Sequence, residues 1–176
     1  MSNPYSTPDQ QSPVQPTQDR VQAVRTLKII TFAMVMSVLV FMGVALAINK
    51  GAIDGAPEIM SWVGIGMAGL MTVNHLVLPN VIAKAASNKV NVEEIRNADE
   101  ATKFSLVFPA FQARHIVASA MLEFAAFMNL VFYMVTEYAG NLAAASVLVV
   151  LLALRFPTVS AAEFWVQDRA REIELG

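Results

Sequence analysis

Four long apolar segments, separated by shorter polar links, dominate the chain. They cover about residues 29–48, 59–83, 110–137 and 140–157. A helix needs about 20 predominantly apolar residues to cross the ~30 Å hydrocarbon core of a bilayer, and the first three segments meet that length. The fourth segment is short unless it begins at Ala139 or continues past Pro157. The pattern predicts four membrane spans.

The first apolar segment has one feature of a cleaved signal peptide. Ala45-Leu46-Ala47 resembles a signal-peptidase site. However, the polar and charged stretch ahead of this segment is unusually long, and the apolar run itself has full span length. An uncleaved membrane span is therefore favoured.

Polar segments flank the predicted spans at both ends of the chain. Residues 1–24 are rich in Pro, Gln, Ser and Asp. They have too few apolar residues to offset the entropy lost on ordering, which predicts a disordered cytoplasmic tail. Residues 159–176 contain Ser160-Ala-Ala-Glu163, the spacing of a capping box, and they predict a C-terminal amphipathic helix at the membrane interface. The membrane domain is therefore expected over residues 25–158.

The link between the second and third spans is polar and charged. Asn91-Val-Glu-Glu94 has the spacing of a helix N-cap with a carboxylate at the third helical position. It predicts a short surface helix from about Val92 to Phe104. Pro109 is expected in the first turn of the third span, where its missing N–H does no harm.

The cations are distributed unevenly between the two sides of the predicted spans. Lys50 lies in the link after the first span. The other eleven of the 12 Lys and Arg residues precede the first span, lie between the second and third, or end or follow the fourth. Cytoplasmic segments of membrane proteins carry the excess of Lys and Arg. The sequence therefore predicts an all-α integral membrane protein of the plasma or inner membrane. It would be a four-span helical bundle of two hairpins, with cytoplasmic surface helices and both termini in the cytoplasm.

Composition agrees with this class and argues against others. Hydrophobic residues make up 56% of the 176 residues, charged residues make up 15%, and the mean hydropathy is +0.51. A net charge of -2 does not suit a nucleic-acid partner, and the absence of Cys excludes disulfides and thiolate chemistry. The motifs of nucleotide-binding, hydrolase and zinc-protease sites do not occur. His75 and His115 differ in predicted depth by about 12 Å, too much for one haem iron. We expect no enzyme, no cofactor and no metal.

One carboxyl group, that of Glu123, lies in the interior of the third apolar segment. An ionised side chain there costs roughly 2.5–3.5 kcal/mol or more, so such residues usually face a partner or a cavity. At ~1.5 Å per residue, Glu123 and His75 both lie about 12 Å from the cytoplasmic edge of the membrane. Ser37 of the first span lies at a similar level. The sequence predicts a buried polar cluster of these three residues, with Asn129 beside it.

Two groups of residues are expected to pack helices together. On the third span, one stripe combines small, polar and apolar residues, namely Ser119, Glu123, Ala126, Leu130 and Tyr133. Such a stripe faces protein rather than lipid. On the second span, Gly64, Gly66 and Gly69 would let the backbone of a neighbouring helix approach closely.

The segment Ala120-Met-Leu-Glu123-Phe-Ala-Ala-Phe-Met-Asn129-Leu130-Val131 resembles the carboxylate helix of rotary ATP synthase c subunits and related proteolipids. In that family a mid-membrane Glu or Asp is followed, six to eight residues later, by Gly-Leu-Val. This chain has Asn129 in place of the glycine. The resemblance covers only this short part of the chain, and it implies that Glu123 corresponds to the proton-carrying carboxylate.

Two functions are compatible with these features. The first is a structural or accessory membrane protein in which a neutral Glu123 holds helices together. The second is a proton- or ion-coupled membrane component that uses Glu123 as a proton-binding site, with His75, Ser37 and Asn129 as neighbours. In either case the chain would contact the lipid bilayer and could form a homo-oligomer or join a larger membrane complex.

Overall fold

The computed structural model describes residues 16–175, and it folds them into six helices. These are α1 (Pro16–Ile48), α2 (Ile59–Ser87), α3 (Val92–Asn97), α4 (Glu100–Thr136), α5 (Ala139–Ala153) and α6 (Val159–Leu175). Three of them, α1, α2 and α4, are long and apolar enough to cross a membrane. The prediction of an all-helical fold is confirmed for the described residues, and three of its helices have the length and apolar character that a membrane span requires. By contrast, α5 has 15 residues, which at ~1.5 Å per residue is shorter than the ~30 Å hydrocarbon core.

Helix α4 is the centre of the bundle and packs against each of the other five helices. Contacts of Thr31 with His115 and of Asn49 with Tyr133 show that α1 runs parallel to α4. Hydrogen bonds of Ser61 with Thr136 and of Asn80 with Arg114 show that α2 runs antiparallel to α4. Consecutive helices α1 and α2 pack mainly against α4 and α5. The first predicted hairpin is therefore not a closely packed helix pair.

The bundle contains two apolar cores, one towards each end of α4. The first joins α1, α2, α4 and α5 and includes Val38, Leu122, Leu130 and Leu148. The second joins α1, α3, α4 and α6. Below, "α6 end" denotes the end of the bundle that contains α6 and the first residues of α4. "Loop end" denotes the opposite end, which contains the link of residues 49–58.

The predicted tail of residues 1–24 is wrong for residues 16–24, which form the first turns of α1. Val24 and Leu27 are almost completely buried against α4 and α6, and Arg20 makes a 3.5 Å ion pair with Glu163. Tertiary contacts with two helices distant in sequence stabilise this segment, and its composition gives no indication of them. Residues 1–15 lie outside the described part of the chain.

The predicted boundary at Pro109 is also wrong, because α4 continues through this proline from Glu100. Asp99 is the N-cap of the helix, and its carboxylate accepts a hydrogen bond of 2.8 Å from the backbone N–H of Thr102. The proline removes one backbone hydrogen bond, while the neighbouring Phe108 is buried in the apolar core at the α6 end and stabilises the helix there.

Two predicted helix starts can be compared with the caps in the structure. Asn91 caps α3 as expected, with its side chain accepting a 2.9 Å hydrogen bond from the N–H of Glu93. The C-terminal helix begins one residue before the predicted cap Ser160. Its cap is Thr158, whose hydroxyl accepts a 3.1 Å hydrogen bond from the N–H of Ala161. The predicted capping box is therefore not the start of α6.

Candidate functional site

Glu123 lies on the face of α4 that meets α1, and its partner is Ser37. The two side-chain oxygens are 2.6 Å apart, and the Ser37 hydroxyl is also 2.7 Å from the backbone oxygen of Met34. A hydroxyl has one proton to donate. If Ser37 donates it to Met34, a protonated Glu123 can donate to Ser37, and both contacts are then hydrogen bonds. The geometry therefore accommodates a neutral Glu123 fully.

His75 is separate from this pair, although the sequence places it at the same depth. It is buried, and its Nδ1 is paired with the backbone oxygen of Thr72 on its own helix. Because a carbonyl oxygen only accepts, Nδ1 carries the hydrogen in this contact. Among the described residues, His75 makes no hydrogen bond with Glu123 or Ser37. Residue spacing predicts the depth of a side chain along a helix, whereas its direction around the helix depends on packing.

Asn129 is part of a second polar group, one turn or more closer to the loop end. Its side-chain nitrogen donates to the backbone oxygen of Gly64 on α2 at 3.0 Å and to that of Ala125 at 2.9 Å. Asn141 of α5 donates to the side-chain oxygen of Asn129 at 3.1 Å and to the backbone oxygen of Ser61 at 3.2 Å. Asn129 and Asn141 are both completely buried. This Asn129–Asn141 network connects α2, α4 and α5.

The three glycines of α2 differ in their surroundings. A Cβ atom on Gly64 would lie 2.6 Å from the side-chain nitrogen of Asn141 and 3.1 Å from the side-chain oxygen of Asn129. No such contact exists at Gly66 or Gly69, which both face open space. Gly64 therefore permits the close approach of α2 to α4 and α5. The expected packing role does not apply to Gly66 and Gly69 within this chain.

The predicted packing stripe of α4 is buried except at Glu123. Ser119, Ala126, Leu130 and Tyr133 are each at most 1% exposed, whereas Glu123 is only half-buried. Glu123 thus lies at the margin of the buried face and is partly exposed. The oxygen of the buried Ser119 has no hydrogen-bond partner among the described residues.

Several polar contacts between helices were not expected from the sequence. Thr31 and His115 join α1 to α4 with an oxygen–nitrogen distance of 2.8 Å. At the loop end, Asn49 donates to the backbone oxygen of Tyr133 at 3.0 Å, and the Tyr133 hydroxyl donates to the backbone oxygen of Ala52 at 2.7 Å. A polar residue within an apolar segment is the one sequence feature that could have indicated Thr31 and Asn141.

Within residues 16–175, no group of three or more His, Cys, Asp or Glu side chains is placed to hold a metal ion. No protein-family model, no curated protein and no solved structure matches this chain. The functional inference therefore depends on the geometry of the described residues.

Proposed function

We propose that this chain is a structural or accessory membrane protein in which Glu123 acts as a neutral carboxylic acid that holds α1 against α4. The 2.6 Å contact between Ser37 and Glu123 is the observation that supports this role most directly. In hydrocarbon a neutral carboxyl group with a hydrogen-bond partner is far less costly than an ionised one. The Asn129–Asn141 network would hold α2 and α5 to the same helix in a similar way.

Transport of protons across vesicle membranes separates this role from a coupled one. The purified full chain is reconstituted into liposomes loaded with a pH-sensitive dye, and a membrane potential is imposed. We expect the same proton flux as in protein-free liposomes, both for the wild type and for Glu123→Gln. A flux that is present in the wild type and lost in Glu123→Gln would contradict the structural role.

We further propose that α5, extended towards Phe156, is a fourth span and that both termini are cytoplasmic. Eleven of the 12 Lys and Arg residues lie on the side assigned to the cytoplasm. The parallel arrangement of α1 and α4, with α2 antiparallel to them, agrees with this topology. The termini and the link between α2 and α4 would then share one side of the membrane.

The chain has no Cys, so single cysteines can report this topology without background. Lys50→Cys and Lys89→Cys are compared in intact cells and in inverted membranes, using a maleimide that cannot cross membranes. We expect Lys50→Cys to react in intact cells and Lys89→Cys to react only in inverted membranes. The opposite pattern, or labelling of both on one side, would contradict the proposed topology.

A second candidate function is a proton- or ion-coupled membrane component, and the partial exposure of Glu123 favours it. A carboxyl group at the margin of the α1–α4 contact can be reached from the lipid. A hydrophobic carbodiimide, which reacts with protonated carboxyl groups, tests this candidate in a pH series. Modification of Glu123 that falls as the pH rises would support a titrating site. Modification that does not change with pH would support the structural role.

The proposed partners follow from the exposed surface. Large apolar side chains such as Trp62, Val73 and Leu76 of α2 are more than half exposed, which suits contact with lipid or with another membrane helix. We propose the lipid bilayer as the main partner, with assembly into a homo-oligomer or a larger membrane complex as a further step. An enzymatic activity or a bound cofactor is not part of this proposal.

A further inference from the structure

Hydrogen bonds between helices show which residues lie at the same level along the bundle. Towards the α6 end, the Nε of Arg114 on α4 donates a 2.7 Å hydrogen bond to the side-chain oxygen of Asn80 on α2. The ring of His115, the next residue of α4, lies 2.8 Å from the hydroxyl of Thr31 on α1. These two contacts place residues 31, 80 and 114 of three different helices at one level.

Helix α5 reaches the same level at its far end. Asn141, near its start, donates a 3.1 Å hydrogen bond to Asn129 of α4, and α5 then runs back along α4. Arg155 follows Asn141 by as many residues as Asn129 follows His115, so Arg155 lies close to the level of His115. Each of these four helices or its end thus has a cation within about 6 Å of a single level, at ~1.5 Å per residue. These cations, which define what we call the cation level, are Lys28, Lys84, Arg114 and Arg155.

Exposed apolar side chains are concentrated on one side of the cation level. Between this level and the loop end, all four helices have large apolar side chains that are exposed, such as Val40, Val73, Val135 and Val147. On the other side, the exposed large apolar side chains of the described residues are Val21, Val92 and Leu175. Side chains close to the level itself are Val81, Phe156 and Phe164. The exposed surface therefore changes from an apolar belt, which extends from the loop end to the cation level, to a polar surface beyond it.

The height of the apolar belt matches a bilayer. Between the cation level and the loop end, residues 29–48 of α1 extend over about 30 Å and residues 115–136 of α4 over about 33 Å, at ~1.5 Å per residue. The hydrocarbon core of a bilayer is ~30 Å thick. Lys and Arg are enriched immediately outside that core on the cytoplasmic side, where anionic lipids carry negative charge. A belt of this height, with cations along one edge, fits a lipid bilayer and indicates where one of its surfaces lies.

Helix α6 lies beyond the cation level and runs away from it. The ring of Trp165 is 5.6 Å from the ring of Phe111, and Glu174 makes a 2.7 Å ion pair with Lys103. Between these two contacts α6 advances by about 14 Å and α4 by about 12 Å, so the two helices are nearly antiparallel. An interfacial helix lies in the plane of the membrane, across the direction of the spans. The packing of α6 is therefore not the packing of an interfacial helix.

We propose that a lipid bilayer covers the apolar belt, that its surface lies at the cation level, and that α6 stands beyond this surface in water. Residues 16–27 of α1 and residues 100–113 of α4 would stand there with α6, as a head that projects by about 20 Å. This position replaces the interfacial one that the sequence of α6 indicates. The inference rests on the proposed four-span topology and goes beyond it, because it places the membrane surface on the structure. The head is then a surface that a water-soluble partner can contact.

Spin labels on single cysteines of the full chain in liposomes test this arrangement. Oxygen concentrates in hydrocarbon and a nickel chelate stays in water, so the ratio of the relaxation enhancements that they cause reports the depth of each label. Phe164→Cys and Leu175→Cys form the matched pair, because both side chains are highly exposed and lie three turns apart on one stripe of α6, about 16 Å along the helix. We expect a several-fold higher oxygen-to-nickel ratio at position 164 than at position 175. Equal ratios at the two positions would overturn the proposal.

Val73→Cys and Val147→Cys are the reference positions in the apolar belt, since both side chains are more than half exposed there. Their oxygen-to-nickel ratios should exceed the ratio at position 175 several-fold. Low accessibility to both reagents at these positions would show that another protein chain covers the belt, and it would overturn the assignment to lipid. The ratios do not depend on the side of the membrane on which the head lies. That side is read separately from Lys50→Cys and Lys89→Cys, so a reversed orientation would contradict the proposed topology and leave the ratios unchanged.

Discussion

Replacement of Gly64 by Ala should separate α2 from the rest of the bundle. The new methyl group would lie 2.6 Å from the side-chain nitrogen of Asn141, which is buried and donates two hydrogen bonds. It would also lie 3.1 Å from the side-chain oxygen of Asn129. Since neither amide can move without breaking a hydrogen bond, α2 must shift outward. The hydrogen bond from Asn129 to the backbone of Gly64 would then be strained or lost.

The expected size of this effect follows from two contributions. Overpacking of a filled site costs about 1–3 kcal/mol, and loss of a buried hydrogen bond costs about 0.5–1.5 kcal/mol. Gly66→Ala is the matched control, because it lies two residues away on the same helix and faces open space. Both changes gain the same helix propensity of up to ~1 kcal/mol. Gly64→Ala should therefore be about 2–4 kcal/mol less stable than Gly66→Ala.

Unfolding in mixed micelles measures this difference. Each variant is titrated with sodium dodecyl sulfate, and the loss of helix contacts is followed by the fluorescence of the two tryptophans. The midpoint for Gly64→Ala should fall well below that for Gly66→Ala. Equal midpoints would refute the conclusion that Gly64 permits the close approach of α2.

Three further changes test other parts of the structure. Asn129→Ala removes the acceptor for Asn141 and the donor to Gly64. It should lower the free energy of unfolding by roughly 1–3 kcal/mol in the same titration. An unchanged midpoint would contradict the Asn129–Asn141 network. Leu27→Ala should lower the free energy of unfolding by about 2–5 kcal/mol, because the Leu27 side chain is only 1% exposed. Ile29→Ala should lower it much less, because Ile29 is 60% exposed. Hydrogen bonds from Thr102 hold the pKa of Asp99 below its ordinary value. The ionised Asp99 therefore stabilises the folded protein at any pH above the pKa that this carboxyl group has in the unfolded chain. This contribution is lost as the pH falls through the lower pKa of Asp99 in the folded protein. The protection factor of the Thr102 amide, which is the intrinsic exchange rate at each pH divided by the observed rate, should fall over that acid range. In Asp99→Ala this protection factor should be low and should not change with pH.

The sequence was sufficient to predict where the long apolar helices lie, although not where each of them begins. Long apolar runs predicted α1, α2 and α4, and the spacing after Asn91 predicted the start of α3. The similar depth of Ser37 and Glu123 also followed from their positions in the apolar segments, and the two side chains are in contact in the structure. These features depend on distance along the chain, which the residue numbers contain directly.

The remaining features depend on which way each helix faces. His75 has the same estimated depth as Glu123, yet its side chain pairs with the backbone of its own helix. Helix α2 packs mainly against α4 and α5 and not against α1, which carries Ser37. Gly64 is in tight contact whereas Gly66 is not, and a spacing rule for glycines does not distinguish them. Similarly, residues 16–24 are helical because α4 and α6 cover them. No local pattern in this segment indicates those distant partners.

A double-mutant cycle on Ser37 and Glu123 tests the central claim most directly. The free energies of unfolding of the wild type, Ser37→Ala, Glu123→Ala and the double variant give the coupling between the two side chains. Hydrogen bonds between membrane helices contribute about 0.6 kcal/mol on average and up to about 1.7 kcal/mol. A coupling in this range, with Glu123→Gln close to the wild type, is the result that the structural role predicts. A coupling of zero would contradict the claim that this pair holds α1 against α4.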